Sequence, residues 1–85
     1  MKPDITIFSK AYCPYCDRAK NLLTQLGLTF TEKRIDQNPE AHEEFQRVTN
    51  QARTVPQILI NGKLIGGFDN LSEYHASGEL DQFIK

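Results

Sequence analysis

The chain has 85 residues, ten basic and eleven acidic, for a formal charge of −1, and 39% of it is hydrophobic. That length supports one domain with a single modest core, and the composition is that of an ordinary globular chain rather than a disordered or fibrous one. A balance so near neutrality excludes whole-chain attraction to nucleic acid or to an anionic membrane, so any anion site has to be local.

The opening segment, MKPDITIFSK, brackets a few apolar residues with an acid and a lysine. It is too short for the apolar region of a signal peptide, and no later stretch has the length of a membrane span. The expected compartment is therefore a reducing cytoplasm, where the two cysteines of this chain serve catalysis or metal binding better than a permanent cross-link.

Ile5 to Phe8 is β-branched and aromatic, which predicts a buried strand ending at Ser9-Lys10. From Tyr15 the apolar positions Cys16, Ala19, Leu22, Leu23 and Leu26 follow a helical stripe, with Gly27 where a C-terminal cap belongs. Leu28 to Ile35 alternates poorly and carries Glu32, Lys33 and Arg34, so it reads as an exposed edge strand. Asn38-Pro39 supplies an N-cap and a first-turn proline for a second helix, roughly Pro39 to Thr49, with Ala41, Phe45 and Val48 on its inner face.

In VPQILINGKLIGG two short apolar strands flank Asn61-Gly62, the dipeptide that supplies the positive φ angles of a tight hairpin. After Gly66-Gly67, helical spacing resumes through Leu71, Tyr74, Leu80 and Phe83, with Asn70 and Glu73 resembling a capping box and Gly78 as an interruption. The order is strand, helix, strand, helix, hairpin, helix. Its strand–helix–strand start implies a parallel pair, to which the hairpin adds antiparallel strands.

KAYCPYCDRAKNLL, Lys10 to Leu23, is the segment that carries chemistry. If the first helix begins where the stripe begins, Cys13 is its N-cap, Pro14 its first residue and Cys16 its third. Proline's missing N–H is not needed at that position, and the free amides behind it point at the N-cap side chain. Those amides and the positive end of the helix dipole favour a thiolate at Cys13, with Lys10 as a further cation; only the thiolate attacks a disulfide.

Cys16, on the apolar stripe, is expected to be buried and placed to close a reversible bond with Cys13. A zinc site is the competing use of such a pair, but no third cysteine exists and His42 and His75 have no spacing that completes a site. Both histidines fall among polar residues on predicted helices and read as surface side chains.

YCPYCDRAK, RTVPQILING and IGGFDNL, in this order and at these separations, resemble the dithiol glutaredoxins, most closely the small bacterial glutaredoxin 3 type. The resemblance spans essentially the whole chain, so one domain over residues 1–85 is expected. It implies an α/β thioredoxin fold, a four-stranded mixed sheet flanked by three helices, with Pro56 a cis proline facing the cysteines.

It also implies a glutathione-dependent thiol–disulfide oxidoreductase in which Cys13 attacks and Cys16 resolves through a Cys13–Cys16 disulfide. Glutathione would be the co-substrate, with no metal or bound organic cofactor. The partners would be glutathionylated or disulfide-bonded client proteins and, indirectly, glutathione reductase with NADPH, the enzyme itself acting as a monomer.

The implied glutathione contacts are Lys10 and Arg53 for the glycine carboxylate, Tyr15 beside the sulfur, and Thr54, Val55 and Pro56 alongside the peptide. Val55, extended because it precedes proline, would pair its backbone with the ligand as an added strand does. Gly67, Phe68, Asp69 and Asn70 would hold the γ-glutamyl end at a helix N-terminus, with Asp69 or the Asn70 amide oxygen taking the ammonium. Many relatives carry an acid where this chain has Asn70, and a glycine is common where it has Gln51. No contact is assigned to the second helix, Glu43 and Gln46 included.

Overall fold

The β-branched opening forms β1 (Ile5–Ser9), and Pro14 opens the helix α1 (Pro14–Gln25) in the computed structural model, which describes residues 3–84. There follow β2 (Thr31–Arg34), α2 (Pro39–Val48), β3 (Gln57–Ile60), β4 (Lys63–Gly66), α3 (Phe68–Ser77) and a single turn, α4 (Asp81–Ile84). The strands form one four-stranded sheet in the order β2-β1-β3-β4. β1 runs parallel to β2 and antiparallel to β3, and β3 is antiparallel to β4, as the strand–helix–strand start and the hairpin require.

Alternation along β1 divides the core between the two faces of the sheet. Ile5 and Ile7 point toward α1 and α3, in a buried cluster with Ala19, Leu23, Ile58, Ile60, Leu71 and Leu80. Phe8 points the other way and meets Phe45 of α2 edge to face, with ring centroids 5.6 Å apart. The helices therefore cover both faces, and Leu23, fully buried, anchors α1 to its side.

Two boundaries differ from the sequence reading, at β2 and at the start of α3, and the expected interruption at Gly78 is present. β2 is four residues long rather than eight, because the pairing with β1 covers Thr31 to Arg34 while Leu28 and Phe30 turn inward against the core. The last helical stretch is cut at Gly78, whose left-handed φ of 83° ends α3 and leaves α4 as a separate turn. Asn70 is not the N-cap of α3. The helix starts at Phe68 behind Gly67, and Asn70, one turn in, reaches back so that its Oδ1 accepts the Gly67 N–H at 3.2 Å.

The register brings three loops to one end of the sheet. Ser9 at the end of β1 lies beside Arg34 at the end of β2, Phe8 pairs with Gln57 at the start of β3, and Ile58 pairs with Gly66 at the end of β4. The segments leaving or entering at these points are the cysteine loop, the Thr54–Pro56 turn and the N-terminus of α3. No helix among the described residues is long and apolar enough to cross a membrane.

Candidate active site

Cys13 is the N-cap of α1: its backbone is extended, its carbonyl accepts the Asp17 N–H at 3.1 Å, and its sulfur accepts the Cys16 N–H at 3.2 Å. On its other side the Cys13 thiol lies 3.6 Å from the Val55 carbonyl, which it reaches as a weak donor. Both cysteines are free thiols.

Cys16 has a different environment. It is 1% exposed, and burial, reinforced by its contact with the Cys13 sulfur, pushes its thiol pKa from 9.0 up to about 12. Two thiols one helical turn apart are thus unequal: Cys13, 9% exposed, caps the helix and faces Val55, while Cys16, 1% exposed, stays neutral deeper in the fold.

The loop ahead of Cys13 is tied from outside. The Ala11 N–H donates to Asp36 Oδ2 at 3.0 Å, and Asp36 is gripped by Arg34 Nε at 2.9 Å and Nη2 at 2.8 Å. The Arg34 guanidinium first, and the Ala11 amide second, hold the Asp36 carboxyl well below the usual carboxylate range. Ser9, fully buried beneath the loop, donates to Glu32, whose carboxylate also accepts Lys20 at 3.0 Å. The Ser9 hydroxyl and then the Lys20 ammonium keep Glu32 ionised by lowering its pKa against the cost of burial.

Facing the cysteines, the Val55–Pro56 peptide bond is cis. Two cavities flank it. One, of about 360 Å³, is lined by Tyr15, Thr54, Val55, Pro56, Gly67, Phe68, Asp69 and Asn70, all expected site residues, and also by Gln57. Tyr15 and Phe68 face each other there with ring centroids 6.3 Å apart, and Arg18 stacks over Tyr15 at 5.2 Å. Gly66 lies close against Asn70: its φ is 116°, and a Cβ on it would lie 2.7 Å from Asn70 Oδ1.

The other cavity, about 470 Å³, holds the two expected cations, Lys10 and Arg53, together with His42, Gln46 and Gln51. Val55 is common to both. The expected residues therefore meet around one valine but in two compartments, one apolar and amide-rich, the other cationic. Gln57 also lines the first cavity and His42, Gln46 and Gln51 the second, with His42 exposed as its place among polar residues implied. Gln57 lies inside a strand pattern, and the other three come from α2 and the loop after it, where only Gln51's place near RTVP offered a signal. Among the described residues no three His, Cys, Asp or Glu side chains are grouped to hold a metal ion.

The Glutaredoxin family model matches residues 5–65. Glutaredoxin 3 of Escherichia coli strain K12 is 43% identical over 82 residues, covering 96% of this chain and 98% of that protein. A glutaredoxin of Pseudomonas aeruginosa is 40% identical, covering 96% of each. Among solved structures, a buckwheat glutaredoxin–glutathione complex superimposes with a TM-score of 0.83 at 38% identity, covering 96% of this chain and 76% of that one. The solution structure of a Brucella melitensis glutaredoxin gives 0.80 at 38% identity, covering 96% and 88%.

Proposed function

From the premise that this chain belongs to the glutaredoxin family, whose members are glutathione-dependent thiol–disulfide oxidoreductases with the thioredoxin fold, we propose the residue roles by which it performs that reaction. Cys13 is the nucleophile. Its thiolate attacks the glutathione sulfur of a protein–glutathione mixed disulfide; a bond forms between Cys13 and glutathione, the old disulfide breaks, and the protein sulfur leaves as a thiolate that takes a proton from water. A second glutathione thiolate then attacks the Cys13-bound glutathione, releasing glutathione disulfide and restoring the Cys13 thiolate. Glutathione reductase with NADPH returns that disulfide to the pool.

On a protein disulfide, Cys13 attacks first and Cys16, once deprotonated, displaces the client sulfur and closes a Cys13–Cys16 disulfide, which two glutathiones reduce. The observation that carries these roles is the Cys16 N–H bond to the Cys13 sulfur, set against the buried, neutral Cys16.

The two cavities around Val55 suit the two ends of glutathione. Lys10 and Arg53 face its glycine carboxylate, and the amides opening α3 face its γ-glutamyl carboxylate. Since the Asn70 oxygen already accepts the Gly67 amide, Asp69 takes the ammonium. Tyr15 and Phe68 wall the sulfur, and Thr54, Val55 and Pro56 line the peptide. The single domain works in the cytoplasm on glutathionylated and disulfide-bonded client proteins.

Replacing Cys16 by Ser is expected to spare deglutathionylation, coupled to glutathione reductase and NADPH oxidation, and to impair reduction of a protein disulfide. Replacing Cys13 by Ser abolishes both. Full activity of the Cys13→Ser variant on a glutathionylated substrate would overturn the assignment.

A further inference from the structure

Between the two ties that hold the cysteine loop lies Tyr12, and stability does not account for it. Its φ is +57°, the left-handed region that a bulky side chain enters only at an energetic cost, and its side chain is fully exposed, at 101% of its reference area. The segment is nonetheless fixed. Ala11 on one side is bonded to Asp36, and Cys13 on the other is bonded through its sulfur and carbonyl to α1. The chain thus holds a large ring outward, one residue before its nucleophile. Tyr12 lines neither of the cavities flanking Val55.

We propose that Tyr12 is a client-docking residue: its ring receives an apolar side chain that neighbours the oxidised cysteine of the client polypeptide. This rests on Cys13 being the nucleophile. Exchange requires the reacting sulfurs to approach to about the 2 Å of a disulfide bond. A protein surface brought that near Cys13 covers the side chain beside it, whereas glutathione is small enough to lie in the cavities along Val55.

The rim exposes two rings close in sequence to Cys13: Tyr12, one residue before it, and the half-exposed Tyr15, two residues after it, with the Arg18 guanidinium stacked on the latter. Tyrosine suits such a contact, since it gives a flat apolar face and a hydroxyl at little entropic cost. Docking also explains the backbone: a left-handed tyrosine is driven out of the fold and cannot pack back onto it.

The test uses three substrates: the cysteine–glutathione mixed disulfide, a glutathionylated cysteinyl peptide with leucine on both sides of the cysteine, and the same peptide with glycine there. The expected result is that the native protein prefers the leucine peptide over the glycine peptide about tenfold in kcat/KM, through KM. Tyr12→Asn, which suits the left-handed backbone and keeps the fold, abolishes that preference; Tyr12→Phe retains it; all three proteins turn over the cysteine–glutathione disulfide within about twofold of one another. An unchanged preference in Tyr12→Asn overturns the proposal, and so does an equal loss on the small disulfide, which would assign Tyr12 to shaping the loop. Absence of turnover of the small disulfide by the native protein would instead contradict the role of Cys13.

Discussion

Cys13 and Cys16 are the same amino acid one helical turn apart, and what separates them is the surroundings of each sulfur. At Cys13 the sulfur replaces a serine or aspartate oxygen as the helix cap, so a group that normally stabilises the helix is stabilised by it in return. At Cys16 burial opposes charge. Its pKa, raised from 9.0 to about 12, makes the neutral thiol the form that folding favours. A group raised in this way contributes stability below its unfolded pKa and loses it as pH climbs toward the folded value. The reduced protein is therefore expected to weaken between pH 9 and about 12. In a Cys13→Ser variant, iodoacetamide should alkylate Cys16 slowly near neutrality, with a rate still rising at the alkaline end of that window. A Cys16 rate that levelled off below pH 9 would contradict the buried, neutral thiol.

At the scale of elements, helix N-termini do most of the chemical placement. α1 begins at Pro14 behind a sulfur cap, α2 at Pro39 behind Asn38, whose Oδ1 accepts the Glu40 N–H at 2.9 Å, and α3 at Phe68 behind Gly67. In α3 the cap is inverted: glycine has no side chain to offer, so Asn70 supplies the acceptor from within the helix. Replacing Asn70 by Ala should cost about 1 kcal/mol in urea denaturation, the usual worth of such a cap. Asn70→Asp should retain the native stability, since it keeps an acceptor and adds negative charge at a helix N-terminus. Equal losses in both variants would show that the Gly67 amide does not depend on this bond.

The same element shows how far sequence alone carries. Proline, Asn-Gly and helical spacing marked α1, α2 and the hairpin, because those signals act through local backbone geometry. The start of α3 was misplaced because Asn70 and Glu73 have capping-box spacing, and whether Asn70 faces forward or back is decided by the approach of Gly66. The cysteine pair and the segments 54–56 and 67–70, each expected from one short motif, are brought together by the fold. His42 and Gln46 carried no such expectation, since only the packing of α2 on the sheet brings them beside Lys10 and Arg53.

For the molecule as a whole, the antiparallel register of β1, β3 and β4 gathers the active segments from distant parts of the chain at one sheet end. Parallel pairing with β2 brings Asp36 to that same end, where it anchors the cysteine loop. There the Cys13 sulfur lies 3.6 Å from the Val55 carbonyl, with a cavity on either side of Val55. The measurement that tests this account most directly is the intact mass and peptide map of each single-cysteine variant after brief exposure to glutathione disulfide at neutral pH. The account predicts one glutathione adduct, on Cys13 of the Cys16→Ser protein, and none on the Cys13→Ser protein in the same time. Equal modification of Cys16 in the latter would contradict it.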